Sequence, residues 1–261
     1  MKFFSQNRYV LDLLASVMFF TRIPVNWSYF SEKAPDLTRA AWTFPLIGYL
    51  VGVISGGLGD ILLLLGAPIF VSAVIAIAFS VFITGAFHED GLADMADGFG
   101  AGGAPERINE IIHDSRLGTY GVAALTLGML IRVGLVVSLV DLGYSLISVL
   151  SVGFASGKLA ILISRNFFNL SDFAKTGSVF GFITPIKLLM ATIIWLIPLL
   201  VLFPIFAIIL GAFFSFWLIY IIGSKATNLI GGITGDVLGA TAFLSEIGFL
   251  LGVAIVLFFA I

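Results

Sequence analysis

The chain has no cysteine, which excludes disulfides, thiolate nucleophiles and zinc–sulfur sites. It also has little charge. Only 11% of its 261 residues are Asp, Glu, Lys or Arg, where a soluble domain carries about a quarter. The formal net charge of −2 therefore says little, because few charges exist to sum. So few basic residues leave no footprint for a nucleic-acid partner. A cleavable leader is not expected either, since Met1–Phe20 contains Asp12 and lacks a small-x-small pattern.

What the chain has is apolar. Sixty per cent of it is hydrophobic, 26 residues are Phe, and the mean hydropathy is +1.15. Several apolar runs approach twenty residues, the length that crosses a bilayer as a helix. The expected fold is all-α: a polytopic membrane helical bundle of about seven spans, forming one domain over residues 1–261. Residues 1–40 read as a cytoplasmic or interfacial segment. Within it, Arg8–Phe20 is apolar but too short to span, and suits the membrane surface. Spans are expected near 42–66, 67–87, 119–140, 144–164, 188–202, 205–222 and 241–261. Polar segments separate them at 88–118, 165–187 and 223–240. With the N-terminus in the cytoplasm, alternation puts all three polar segments inside. Lys2, Arg8, Arg22, Lys33, Arg39, Arg107, Arg116, Arg165, Lys175, Lys187 and Lys225 are then inside, 11 of the 13 Lys and Arg. Arg132 and Lys158 fall within spans. This bias fits the positive-inside rule and an odd number of crossings.

The densest charge in the chain is HEDGLADMADG, residues 88–98. Asp90, Asp94 and Asp97 stand at i, i+4 and i+7, one face of a helix. Like charges so placed repel each other unless a cation sits among them. Three oxygen-only ligands suit a hard ion, Mg²⁺ above all, which often shares its shell with phosphate oxygens. Gly91 and Gly98 lie one heptad apart and would admit another backbone or a bulky ligand. The tail GFGAGG, residues 98–103, reads as flexible and able to fold around phosphates. A solvated Asp- and Gly-rich loop is the plainer alternative. The one-face spacing at a membrane boundary weighs against it. Glu89 points off that face and reads as an ordinary loop acid, and His88 reads as interfacial.

Two further segments carry candidates. In IHDSRLGTYG, residues 112–121, Asp114 offers a metal ligand or a base, and Arg116 a planar fork for phosphate. A helix cap and a positive-inside anchor are equally good readings of this pair. In NLIGGITGDVLGA, residues 228–240, Gly231, Gly235 and Gly239 have small-xxx-small spacing, the pattern of close helix packing. That does not explain Asp236 beside Thr234, a carboxylate that should face a cavity or the cation site. Arg132, midway along a span, wants an anionic partner, either an Asp or a substrate phosphate.

The three motifs HEDGLADMADG, HDSRLGTYG and GGITGDVLGA, in this order and spacing, resemble the cobalamin synthase family, adenosylcobinamide-GDP ribazoletransferases. The resemblance covers essentially the whole chain. Glu89 departs from it, standing where the family pattern HLDGLAD has an apolar residue. The resemblance implies the substrates adenosylcobinamide-GDP and α-ribazole or its 5′-phosphate. It implies the products adenosylcobalamin, or its 5′-phosphate, and GMP. It also implies Mg²⁺ and a place in the cytoplasmic membrane. On that footing Asp90, Asp94 and Asp97 would hold Mg²⁺ across the diphosphate, and Asp114 or Asp236 would accept the attacking hydroxyl's proton. Arg116 would stabilise the transferring phosphoryl. Gly91, Gly98, Arg132 and Thr234 would contact substrate.

Two other classes compete. A CDP-alcohol-type phosphotransferase of the membrane uses a related D-G…D…D pattern, but with an Arg shortly after the first Gly. Here Leu92 and Ala93 follow Gly91. A transporter would place its carboxylates at mid-bilayer in repeated halves, and no internal repeat is found. Glycine-lined spans would also permit a homo-oligomer in the bilayer.

Overall fold

The computed structural model describes residues 7–174 and 181–259. Lys2 and Lys175, two of the cations counted above, and the last two residues of the seventh span lie outside them. The described chain folds as α-helices: α1 Arg8–Phe20, α2 Leu37–Ala40, α3 Phe44–Leu64, α4 Ile69–Thr84, α5 Phe87–Ala101, α6 Pro105–Ile112, α7 Thr119–Asp141, α8 Leu146–Phe167, α9 Pro185–Leu202, α10 Ile205–Ile230 and α11 Gly235–Phe259. The one non-helical pairing among these residues is a parallel bridge between Leu170 and Ile233. It ties the loop after α8 to the turn before α11.

Local chemistry sets many of the boundaries. Asn7 caps α1 by accepting from the Tyr9 amide, and Ser145 caps α8 through Ser148. Pro45, Pro105 and Pro185 stand in the first turns of α3, α6 and α9, where a missing N–H costs nothing. Asp60, near the end of α3, accepts from the Leu146 and Ile147 amides at 2.8 and 3.1 Å. That remote carboxylate satisfies orphan donors at the start of α8.

Among the described residues, six segments are long and apolar enough to cross a membrane: Leu37–Leu64, Thr119–Asp141, Leu146–Phe167, Pro185–Leu202, Ile205–Ile230 and Gly235–Phe259. A seventh crossing exists if α4 and α5, bent by 87° at their junction, count as one broken span. The bend is made by two consecutive left-handed residues, Gly85 (φ 70°) and Ala86 (φ 60°). Glycine adopts that region freely, whereas alanine there costs about 1–2 kcal/mol, so the kink is held against local preference.

α8 is the central helix, buried along nearly its whole length. α3 lies against it through Gly48, Gly52 and Gly56. A Cβ built on Gly48 or Gly56 would come within 2.5 Å of the Ala155 or Ile147 Cα. This is small-xxx-small packing, on α3. The glycines at 231, 235 and 239 do not form such a stripe. Gly231 is the left-handed cap that ends α10, and Gly239 lies in α11, where it faces α5.

The expected polar segments gather at one end of the bundle. α5 runs alongside α7: Glu89 at its start meets Arg132 in the middle of α7, and Asp97 near its end meets the N-terminus of α7. The Leu170–Ile233 bridge joins the other two segments there. Lys187 Nζ donates to the Thr38 carbonyl at 3.1 Å, and the Gly181 amide to Thr38 Oγ1 at 2.7 Å, which adds the N-terminal segment.

Three boundaries differ from expectation. Residues 98–101 are not a flexible tail, because α5 continues to Ala101. Gly98 lies helical against α6, where an added Cβ would meet Ile112 Cγ1 at 2.5 Å. α10 extends to Ile230, and α11 begins at Gly235, six residues ahead of the expected span. The polar composition of 223–240 marks the helix ends, not a long loop.

Candidate active site

A cavity of about 500 Å³ opens at this end, lined by Asp90 and Asp94 of α5, Asp236 of α11, and His113, Asp114 and Arg116 of the α6–α7 loop. Helix periodicity puts Asp90 and Asp94 on one face of α5. Asp236 arrives because α5 and α11 pack backbone to backbone. A Cβ on Gly91 would lie 2.7 Å from the Asp236 carbonyl and 3.2 Å from the Gly239 Cα. Asp90 is exposed, and Asp94 and Asp236 are half-buried. The charges of Asp90, Asp236, Asp97 and His113 all act on Asp94. Among the described residues none of Asp90, Asp94 or Asp236 has an ion-pair partner. Acids that close in a half-buried cleft are costly to keep charged unless a cation joins them.

Asp97 lines not this cavity but a neighbouring one, together with Asp114 and Arg116. Its side chain turns away from the first cavity, and its two oxygens accept from the Gly118 and Gly121 amides at 2.7 and 2.8 Å. It caps α7 from outside, satisfying orphan N–H groups and facing the positive end of the helix dipole. Both glycines are needed there, because a Cβ on Gly118 would fall 2.5 Å from Asp97 Oδ1.

Four expected substrate contacts are also placed elsewhere. Arg132 is 1% exposed and already engaged. Its Nε and Nη2 donate to Glu246 at 2.8 and 3.1 Å, and Nη1 donates to Glu89 at 2.9 Å. Its guanidinium lies over the Phe154 and Phe243 rings. Its anionic partners are two glutamates, not an Asp or a phosphate. Thr234, 2% exposed, caps α11: its Oγ1 accepts from Val237 and its carbonyl from Leu238. Gly91 and Gly98 are spent on contacts with α11 and α6.

Asp114 and Arg116 form a pair at the rim. Arg116 Nη2 donates to Asp114 Oδ2 at 2.7 Å, Nε bonds both carboxylate oxygens, and the Arg116 amide adds a fourth bond. Those hydrogen bonds hold the Asp114 carboxyl down at about 2. A carboxylate so acidic is a poor proton acceptor near neutrality. Asp236, by contrast, has no ion-pair partner among the described residues. The Arg116 side chain, although paired with Asp114, is 87% exposed at the rim of the cavity, where a planar fork can meet an anion.

Sequence reasoning missed several residues. Glu246 sits alone in an apolar run, and Glu89 read as a loop acid, yet they neutralise Arg132. The available signal was the pair of in-span cations, which required buried acids. Lys158, 2% exposed, places its Nζ 3.2 Å from His88 Nε2 and 4.5 Å from the Phe20 ring centroid. His113 lay within a recognised motif without a role, and it lines the cavity with its Nδ1 against the Asn109 carbonyl at 2.9 Å.

The donor set fits a hard divalent cation in part. Asp90, Asp94 and Asp236 offer oxygen alone, as Mg²⁺ prefers. Among the described residues no three acid or histidine side chains form a ready-made cage. Mg²⁺ commonly takes one or two carboxylates and completes its shell with water and substrate phosphates.

Fold and cleft together define a class: a polytopic helical membrane protein with unpaired carboxylates and an exposed arginine lining one cleft. Comparison with known proteins narrows it. Residues 12–254 match the family model described as cobalamin-5-phosphate synthase. A protein of Azorhizobium caulinodans named adenosylcobinamide-GDP ribazoletransferase is 34% identical over 95% of this chain and 97% of its own length. Proteins of the same name from Clostridium botulinum and Ralstonia pickettii are 36% and 34% identical, each over 92% of this chain and 96% and 93% of their own lengths. No solved structure matches. The chain belongs to the cobalamin-5-phosphate synthase family.

Proposed function

We propose that this chain joins adenosylcobinamide-GDP to α-ribazole, or its 5′-phosphate, yielding adenosylcobalamin, or its 5′-phosphate, and GMP. The observation that carries the reading is the convergence of unpaired Asp90, Asp94 and Asp236 with Arg116 in one cleft, in a chain of this family. The ribazole 3′-hydroxyl oxygen attacks the phosphorus attached to cobinamide. Asp236 accepts the hydroxyl proton, the bond from that phosphorus to the bridging oxygen breaks, and the oxygen leaves with GMP. Arg116 exchanges Asp114 for the transferring phosphoryl and offsets its charge. Asp90 and Asp94 would hold Mg²⁺, which when bound supplies charge neutralisation across the diphosphate. Phosphoryl transfer asks a protein chiefly for position and electrostatics, and these side chains supply both.

The cleft faces the cytoplasm in this reading, with the chain in the cytoplasmic membrane. The support is the bias of Lys and Arg toward the segments that gather at the cleft end. The direct test is purified protein in lipid with both substrates and Mg²⁺. GMP and cobalamin should form in equal amounts. No turnover by folded protein with either form of ribazole would contradict the assignment.

A further inference from the structure

Asp90 and Asp236 border a second, narrower cavity on the side away from Arg116. Its other walls are Phe19 of α1, Phe87 of α5, Ile161 of α8, and Gly235, Leu238 and Gly239 of α11. The two cavities share these two carboxylates and nothing else. One is polar and cationic at its rim. The other is aliphatic and aromatic, with Ile161 3% and Leu238 2% exposed. The Phe19 and Phe87 rings meet edge to face at 5.2 Å across one wall. Phe87 is 38% exposed, so its ring is not locked into the core. Gly235 and Gly239 leave part of α11's share of the wall without side chains, beside Asp236 and Leu238.

We propose that this slot, about 80 Å³ in volume, is the acceptor subsite: it takes one edge of the flat aromatic base of α-ribazole, the rest of the base lying at its mouth, and thereby presents the ribose hydroxyl to Asp236. The inference rests on the function proposed above. Three aromatic or macrocyclic groups reach the site in that reaction. The corrin macrocycle is far too large for a slot walled by single side chains. Guanine carries donors and acceptors along most of its edge, and apart from Asp90 and Asp236 the slot's side chains offer none, so burial there would leave those groups unpaired. The benzimidazole-type base of α-ribazole is mostly apolar, and edge-to-face rings suit its planar surface. Placing it here puts acceptor and donor on opposite sides of the shared carboxylates. The diphosphate lies toward Arg116 and the hydroxyl approaches from the other face, as an in-line displacement requires.

Phe87→Ala tests this, because Phe87 is partly exposed and its loss should leave the fold intact. In lipid-reconstituted protein with Mg²⁺, its KM for α-ribazole should rise about tenfold while that for adenosylcobinamide-GDP moves less than about twofold. Ile161→Phe, which fills the slot, should shift the same constant in the same direction. Binding of α-ribazole alone, measured by calorimetry on the same preparations, should weaken in parallel. Equal shifts in both KM values, a shift confined to the corrinoid, or unchanged α-ribazole binding would each overturn the subsite. Wild-type protein that binds α-ribazole in the slot but releases no GMP would contradict the proposed reaction and leave the subsite standing.

Discussion

Arg132 and Glu246 form a two-pronged ion pair in the interior, Nε to Oε1 at 2.8 Å and Nη2 to Oε2 at 3.1 Å, joining α7 to α11. Glu89 completes the junction from α5. These three helices carry the carboxylate cleft, and Glu89 immediately precedes Asp90. The buried charges therefore fix the rotation of α5 that turns Asp90 and Asp94 toward Asp236. Arg132→Met leaves two buried glutamates without their hydrogen-bonded cation, with Lys158 the remaining positive group near them. Its expected cost is about 3–5 kcal/mol, read as lost thermal stability and yield in detergent. Glu89→Leu keeps the Arg132–Glu246 pair and should cost clearly less. Equal losses would contradict a junction centred on Arg132.

Asp97 belongs to α7 rather than to the metal in this account. Asp97→Ala removes two hydrogen bonds to the Gly118 and Gly121 amides and should destabilise by about 1–2 kcal/mol. The Mg²⁺ concentration for half-maximal turnover should move little. A large rise in that concentration without loss of stability would return Asp97 to the ligand set.

The close approach of α5 to α11 sets the distance between the acids. Gly91→Val drives side-chain atoms into the Asp236 carbonyl and the Gly239 backbone, already 2.7 and 3.2 Å from an ideal Cβ. Turnover should fall about a hundredfold, since small misplacements at a reacting centre are that costly. Near wild-type turnover would mean the helices part without affecting the site.

Asp114 and Asp236 should separate in the pH profile. The Asp114 carboxyl is depressed from 3.8 to about 2, so its pairing with Arg116 is complete above 3.8 and lost as pH falls through 2. Between pH 5 and 9 it stays ionised and contributes no limb to the rate. Asp114→Asn should lower the rate through Arg116 while leaving the shape of the profile unchanged. Asp236→Asn should abolish the acidic limb. An acidic limb that vanishes with Asp114→Asn would reverse the roles.

Much of the fold was legible because apolar run length alone reports a crossing helix, and α3, α7 and α9 fall within a few residues of expectation. α10 and α11 ran longer because glycines and polar residues at their ends dilute hydropathy without breaking the helix. The site was half legible. The i, i+4, i+7 spacing of Asp90, Asp94 and Asp97 identifies a face, but periodicity is silent about which neighbour claims each carboxylate. The start of α7 claimed Asp97. Glu246 was invisible for the opposite reason: one acid in a long apolar run leaves no pattern, and only Arg132 demands it. Spacing also misread Gly231, Gly235 and Gly239 as one stripe, because Gly231 ends a helix in the left-handed region.

Asp94, without an ion-pair partner in the cleft, is expected to serve the transfer of the cobinamide phosphoryl group. This role is tested most directly by Mg²⁺ titration of GMP release in lipid-reconstituted wild type and Asp94→Asn, both shown to unfold at similar temperatures. The wild type should show saturable Mg²⁺ dependence and the variant a loss of about a thousandfold, the scale of removing a principal electrostatic contact to a phosphoryl centre. Full turnover by Asp94→Asn, or wild-type turnover indifferent to Mg²⁺ and to its chelation, would contradict that role.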